Sequence, residues 1–367
     1  MTKNLRFLIL ILLIAPSLLF AGNPDRQGEA GAYELVLNPW ARSAGLHSLN
    51  IGSVSGVEAM RINPAGINRI GSTEILLSQT RYLIGADINL NAMGFAKQIG
   101  KNGAFGVSIM AIDFGEIKVT TDAQPEGTGV TYSPSFFNLG LGYSHSFDKV
   151  NVGVLFRVVN ESTSDINSSG FALNAGVQYV TGDRDNIKFG TAIRNIGTPM
   201  KFKGPGLATS SENPDKGGYN LTYSVRGATY ELPSLLNIGL SIKTFMTDKH
   251  TLTFDGGFTA NSFAQDQVGL GMEYAFNEKF MLRGAYKLEV SASTETRIEG
   301  SVDNGPSFGA SLDIPLKKKD LSDILGNDDD SEIKVEKKDP PRFGVDYAYK
   351  LTNPFGGIHS LGIRLNF

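Results

Sequence analysis

Phe137-Asn138-Leu139-Gly140-Leu141-Gly142-Tyr143 sets a large apolar side chain at every second position, with small or polar residues between. Successive side chains of a strand point to opposite faces, so this stretch reads as a ribbon with one apolar face. The period recurs along most of the chain. Val150, Val152, Val154, Phe156 and Val158 carry it, as do Phe171, Leu173, Ala175, Val177 and Tyr179. Leu236 to Ile242, Val268 to Phe276 and Phe343 to Tyr349 repeat it. One alternating strand fits any half-buried sheet, but a long series of segments about ten residues each is the pattern of a transmembrane barrel.

The segments begin near Thr73, Asp87, Asn102, Ser135, Val150, Ser168, Ile187, Leu232, His250, Gln267, Lys279, Ser307, Arg342 and Ile358. That predicts an all-β, antiparallel transmembrane β-barrel of about 14 strands, an even number as single-chain bacterial barrels have. Short polar turns at 99–101, 147–149, 181–186, 247–249 and 277–278 alternate with longer loops at 115–134, 160–167, 197–231 and 289–306. In barrels the short turns face the periplasm and the long loops face outward. Leu361, Ile363, Leu365 and the terminal Phe367 alternate to the last residue. A terminal aromatic on such a strand resembles the signal read by the outer-membrane assembly machinery, which weighs against a soluble sandwich.

At the other end, Lys3 and Arg6 precede the apolar run Phe7 to Phe20, and Ala21-Gly22 supplies small residues for cleavage. Residues 1–21 read as a secretory signal peptide, because the run is shorter than the roughly 20 residues a spanning helix needs. The expected location is the outer membrane of a Gram-negative bacterium. The 367 residues carry net charge −3, so nothing points to nucleic acid. With no cysteine, and with His47, His145, His250 and His359 far apart, neither a disulfide nor a metal site is expected. No catalytic constellation or cofactor loop is found: Gly52-Ser53-Val54-Ser55-Gly56 has Val54 where a nucleophile elbow needs serine. The chain is expected not to be an enzyme.

Residues 22–70 precede the alternating pattern, which occupies 71–367. They are rich in breakers and read as a periplasmic N-terminal plug around which the barrel closes. Candidates are Trp40, Arg42, Gly45 and the run Asn63-Pro64-Ala65-Gly66. Pro64 cannot join a ladder and pushes Asn63 toward extended backbone; Gly66 is then free to take positive φ and turn the chain into the first strand. The same four residues also suit an ordinary turn. Many small residues on the barrel's inward face are glycines, among them Gly140, Gly153, Gly176, Gly190 and Gly271. Glycine in a strand marks close approach of another backbone or a bend. Charges of both signs share that face: Arg157, Lys188, Arg194, Lys243, Arg283, Lys287, Lys350 and Arg364, with Asp255, Glu273, Asp313 and Asp346. Such a lumen implies ion-pair networks or a narrow wet path.

Pro39-Trp40-Ala41-Arg42-Ser43-Ala44-Gly45, then Val57-Glu58-Ala59-Met60, then Asn63-Pro64-Ala65-Gly66 resemble the opening of the PorV/PorQ family. The wider group resembles the FadL-type transporters, barrels of fourteen strands with an N-terminal hatch. The resemblance implies a type IX secretion-linked partner that binds exported proteins or secretion components. The alternative it implies is a passive transporter of hydrophobic or amphipathic small molecules. Partners in either case include outer-membrane lipid and the assembly machinery. Finally, 316–341 breaks the alternation with Lys317-Lys318-Lys319 and Asp328-Asp329-Asp330. It reads as a charged, disordered insertion, and the strand count places it on the periplasmic side.

Overall fold

The computed structural model describes residues 26–212, 219–290, 304–316, 340–352 and 356–367. Fourteen antiparallel strands form a closed barrel. They are β1 (Thr73–Leu83), β2 (Ile88–Ile99), β3 (Gly103–Asp113), β4 (Ser135–Phe147), β5 (Val150–Thr163), β6 (Ile166–Thr181) and β7 (Ile187–Gly197). The second half is β8 (Leu235–Phe245), β9 (His250–Asn261), β10 (Asp266–Phe276), β11 (Phe280–Val290), β12 (Gly305–Pro315), β13 (Arg342–Lys350) and β14 (Ile358–Asn366). Each strand pairs with its sequence neighbour, and β1 pairs with β14 to close the ring. Closure leaves no free edge and satisfies the strand backbone internally, which is what a bilayer demands. Thr73 and Phe367 exchange both backbone hydrogen bonds at the seam, at 3.2 and 2.8 Å.

Burial follows the alternation. Along β4, Asn138, Gly140, Gly142 and Ser144 are buried, while Phe137, Leu141 and Tyr143 are exposed on the outside. The apolar face is therefore the outer one, and the protein's core lies in the lumen. Tight turns close one end of the barrel. Between Phe276 and Phe280 only three residues turn the chain, and Asn277 and Glu278 both take positive φ, 53° and 54°. One expected loop is absent: β5 and β6 run on across 160–167 and meet at a turn of only Ser164 and Asp165. Alternation continues there through Val159 and Glu161, both buried, so the ladder extends above its neighbours. The β7–β8 connection carries two small ribbons of its own, pairing Met200–Lys201 with Thr229–Tyr230 and Ala208–Glu212 with Asn220–Ser224. The signal peptide and nearly all of the charged 316–341 stretch lie outside the described residues; Leu316 and Pro341 join by a 2.7 Å backbone hydrogen bond at its roots.

Residues 33–70 fill the lumen as short helical turns, with α1 (Ala41–Ala44) and α2 (Ala59–Ile62) among them. Trp40, Ile51, Val54, Val57, Met60, Ile62 and Ile67 form one apolar cluster with wall residues such as Leu76, Leu90, Met110 and Leu155. These helical turns are too short to be stable alone, so wall contacts hold them.

A segment clamped through the barrel lumen

The inward glycines mark where backbone meets backbone. A Cβ on Gly153 would stand 2.2 Å from the Pro64 carbonyl oxygen, one on Gly176 2.1 Å from Asn63 Oδ1, and one on Gly190 2.5 Å from the Ile51 carbonyl oxygen. On the segment's side, a Cβ on Gly45 would lie 2.9 Å from Gly309 Cα. Gly66 corrects an expectation. It sits in the 3₁₀ turn Pro64–Gly66 and is not among the residues with positive φ. What it supplies is room, since a Cβ there would meet the Val54 carbonyl oxygen at 2.2 Å. Asn63 is extended before the proline, with φ −150°, and its side-chain oxygen accepts from Ala65 N at 3.2 Å.

An irregular segment leaves its carbonyls without helix or sheet partners, and buried carbonyls need donors. Wall side chains provide them. Gln178 Nε2 donates to Ile51 O and Val54 O at 3.2 and 3.0 Å. Arg157 donates to Met60 O at 3.2 Å, Arg194 to Leu35 O at 3.2 Å, Ser307 to Gly45 O at 3.0 Å, and Ser78 to Pro39 O at 2.6 Å. From the segment, Asn63 Nδ2 reaches Val177 O on β6 at 3.1 Å, and Arg61 spans Leu37 O and Glu34 O within the segment. Gln178, Ser78, Ser307, Glu34 and Arg61 were not legible as site residues. Their only signal was a polar side chain on an inward position or inside the breaker-rich segment.

The charges sort into two groups. Toward the short-turn end, Arg283 pairs with Glu273 at 2.5 Å, and Arg42 of α1 approaches the same carboxylate at 3.5 Å. Arg364 bridges Asp313 at 2.7 Å and Asp346 at 3.7 Å, while Ser311 donates to Asp346. Asp255 accepts from Ser53 at 3.0 Å and from Ser241. Lys243 lies at the rim, 3.5 Å from Glu278. Arg42, Lys188, Lys243, Asp255, Glu273, Asp313 and Arg364 border a cavity of about 610 Å³ at that end. Higher in the lumen, Arg61, Arg157, Arg194 and Glu34 are buried together with Glu161. Burial, followed by the nearby Glu161 charge, pushes the Glu34 carboxyl of the segment up to about 8. Burial, then Asp346, raises Glu58 to about 7. Lys287 and Lys350 line a small gap of about 70 Å³. Among the described residues no group of three or more histidine or acidic side chains is set to hold a metal ion.

The far end of the segment lies away from the short turns. Arg26 to Ala32 lie against the long-loop end, opposite Ser72. Ala30 bridges Glu231 in parallel, and Gly31 N donates to Glu231 O at 3.0 Å. The Tyr230 ring covers Gly31, where a Cβ would fall 2.2 Å from it, and Tyr230 Oη donates to Glu161 at 2.5 Å. Arg26 stacks over Phe263 at 4.4 Å and faces Glu231 at 3.4 Å. Ala32 and Leu35 are buried with Val159, Ala172, Met200 and Leu232. The segment thus runs through the whole lumen.

Beside this clasp the wall is notched. Pairing of β7 with β8 stops at Arg194 and Leu235, whereas β7 continues to Gly197. The β6–β7 register shifts between Leu173 and Ala175, and Asn195 takes φ 58° with its N–H on Asn174 Oδ1 at 2.7 Å. Ile193, Ile196, Pro199, Leu232, Leu235 and Leu236 border a groove of about 530 Å³ there. Asn195 Nδ2 reaches inward to Pro233 O and to Leu35 O, at 3.0 and 3.4 Å.

No protein-family model and no curated sequence matches the chain. Among solved structures it is similar to the CymD monoaromatic hydrocarbon channel, with 12% identity over 92% of this chain and 99% of that one, and a TM-score of 0.54. The fold is shared. Similar too are the Pseudomonas putida toluene transporter TodX (12% identity, 88% and 96% of the two chains, TM-score 0.48) and a Pseudomonas aeruginosa FadL homologue (11%, 89% and 96%, TM-score 0.45). At these identities the likeness to CymD is one of architecture.

Proposed function

We propose that this chain is an outer-membrane passive channel for hydrophobic or amphipathic small molecules, held shut by residues 26–70. The observation that carries the reading is the apolar notch beside the segment's outer end. A hydrophobic solute meets Ile193, Ile196 and Leu236 there, beside Asn195, whose side chain hydrogen-bonds the Leu35 carbonyl of the segment. The opposite route leads through the charged vestibule, where an apolar solute would gain nothing on leaving water. The architecture shared with a hydrocarbon channel supports the same reading. In this orientation the short turns face the periplasm, residues 1–21 are cleaved on export, and the β14 strand ending at Phe367 engages the assembly machinery.

The test is toluene entry into proteoliposomes, compared with protein-free vesicles. Transport should exceed the empty-vesicle rate, and Leu236→Trp, which fills the notch, should reduce it by about ten-fold. Equal rates with and without protein would overturn the reading. The sequence motif at Pro39–Gly66 favours a second reading, a PorV/PorQ-type partner of type IX secretion. Under that reading toluene flux is absent, and the protein co-purifies with secretion components from a type IX-competent host.

A further inference from the structure

Three of the four histidines, His145, His250 and His359, lie on the outer face of the wall, and each has a tyrosine hydroxyl at Nδ1. The partners are Tyr143 at 3.2 Å, Tyr274 at 2.6 Å and Tyr347 at 2.8 Å. Two of these pairs sit at the short-turn end. The third differs in its neighbours. His359 on β14 is directly opposite Tyr349 on β13, with ring centroids 5.0 Å apart, and directly opposite Arg81 on β1. His145, by contrast, faces Gly103 and Val152.

The register shows where this row lies. Two levels toward the barrel middle, Leu77 on β1 pairs with Met93 on β2 and Ile363 on β14, all exposed on the outer face. Two steps further, Gln79 faces Asn91, and Arg81 faces Asn89 on one side and His359 on the other. On β14 the residue level with Gln79 is still apolar, Leu361, so the three strands are polar together at the level of Arg81, Asn89 and His359. An arginine facing lipid costs about 2–4 kcal/mol at the bilayer midplane and close to nothing at the interface, so this row belongs at headgroup depth. Among the described residues Arg81 forms no ion pair; the nearest acid in register is Asp113, beyond Asn89. Tyr347 Oη and His359 Nδ1 share a hydrogen bond; in the tautomer where the hydroxyl donates, the ring proton is on Nε2 and can be donated outward.

We propose that Arg81, His359 and the Tyr347–Tyr349 pair bind a phosphate monoester of a phosphorylated glycolipid, as distinct from a zwitterionic phosphodiester headgroup, in the leaflet on the long-loop side. Arginine matches two phosphate oxygens, the imidazole N–H supplies a third donor, and Tyr349 shields the site from the side. The site rests on the barrel's membrane embedding and not on what the lumen transports.

The experiment is native mass spectrometry of the detergent-solubilised protein titrated with diphosphoryl lipid A. Phosphatidylcholine and inorganic phosphate serve as comparison probes. The R81A/H359A double variant should lose about ten-fold in lipid A affinity, while H145A, with the same Tyr–His pair but no arginine, keeps it. Heat-modifiable gel migration establishes that each variant has folded. Retained affinity in the double variant, an equal loss in H145A, or equal binding of phosphatidylcholine would overturn the proposal. Competition by millimolar inorganic phosphate alone would replace the lipid with a free anion and overturn it as stated.

Discussion

The two ends of the lumen are built from the same alternating strands and behave as opposites. At the short-turn end, Arg42, Glu273, Arg283, Asp313, Asp346 and Arg364 pair beside a cavity of about 610 Å³. At the long-loop end, Met200 and Leu232 pack against Leu35 of the segment, and Tyr230 covers its backbone. Charges tolerate a wet vestibule because water completes their solvation, whereas the dry end gains only by excluding water. The seal therefore lies in the middle and upper lumen, where glycines let the segment touch the wall. The vestibule below is an antechamber.

The largest expected effect comes from breaking a backbone contact in the seal. Gly190→Val puts a Cβ 2.5 Å from Ile51 O and 2.8 Å from Gly52 Cα, neither of which can move without shifting the segment. Overpacking of this kind costs about 3 kcal/mol. Single-channel recordings should show a large rise in conductance while the barrel still migrates as a heat-modifiable band. Unchanged conductance in a folded variant would place the barrier elsewhere. A middle-sized effect is expected at the clasp. The chain has no cysteine, so Gln27→Cys gives a single reporter. A membrane-impermeant maleimide should label it on intact cells, and adding Tyr230→Ala should speed labelling by removing contacts worth on the order of 2 kcal/mol. Labelling only after the outer membrane is breached would invert the two ends.

The smallest effect concerns proton linkage. Glu34 is neutral in the seal up to about pH 8 and would ionise near its ordinary value of 4.5 once released to water. Its contribution to closure is full below about 4.5 and declines as pH rises toward 8, because only the open form has lost the proton. Open probability should rise across that window. Glu34→Gln should flatten the dependence, with closure at neutral pH strengthened by on the order of 1 kcal/mol. A slope preserved in the variant would assign the linkage to Glu58 or another group.

Much of the wall was legible because a strand's two faces are a local property. The predicted starts at Thr73, Ser135, Val150, Ile187, His250, Arg342 and Ile358 are the observed ones. The 160–167 loop was misread because Asn160, Ser162 and Ser164 look like loop residues, yet the ladder to β6 outweighs their turn preference. Sequence also showed that glycines and mixed charges share the inward face.

What the residues could not reveal is which distant backbone each glycine meets. Gly66 looked like a turn glycine and proves to be a spacing glycine against Val54, a distinction that requires the folded path. The direction of residues 26–70 was likewise undetermined: nothing near Arg26 encodes Tyr230 or Glu231, some two hundred positions away. Alternation is decided by neighbours two residues apart, and so composition and order alone specified the barrel. Threading, clamping and the notch at Asn195 depend on contacts between residues far apart in the chain, and only closure of the fourteen-strand ring brings those together.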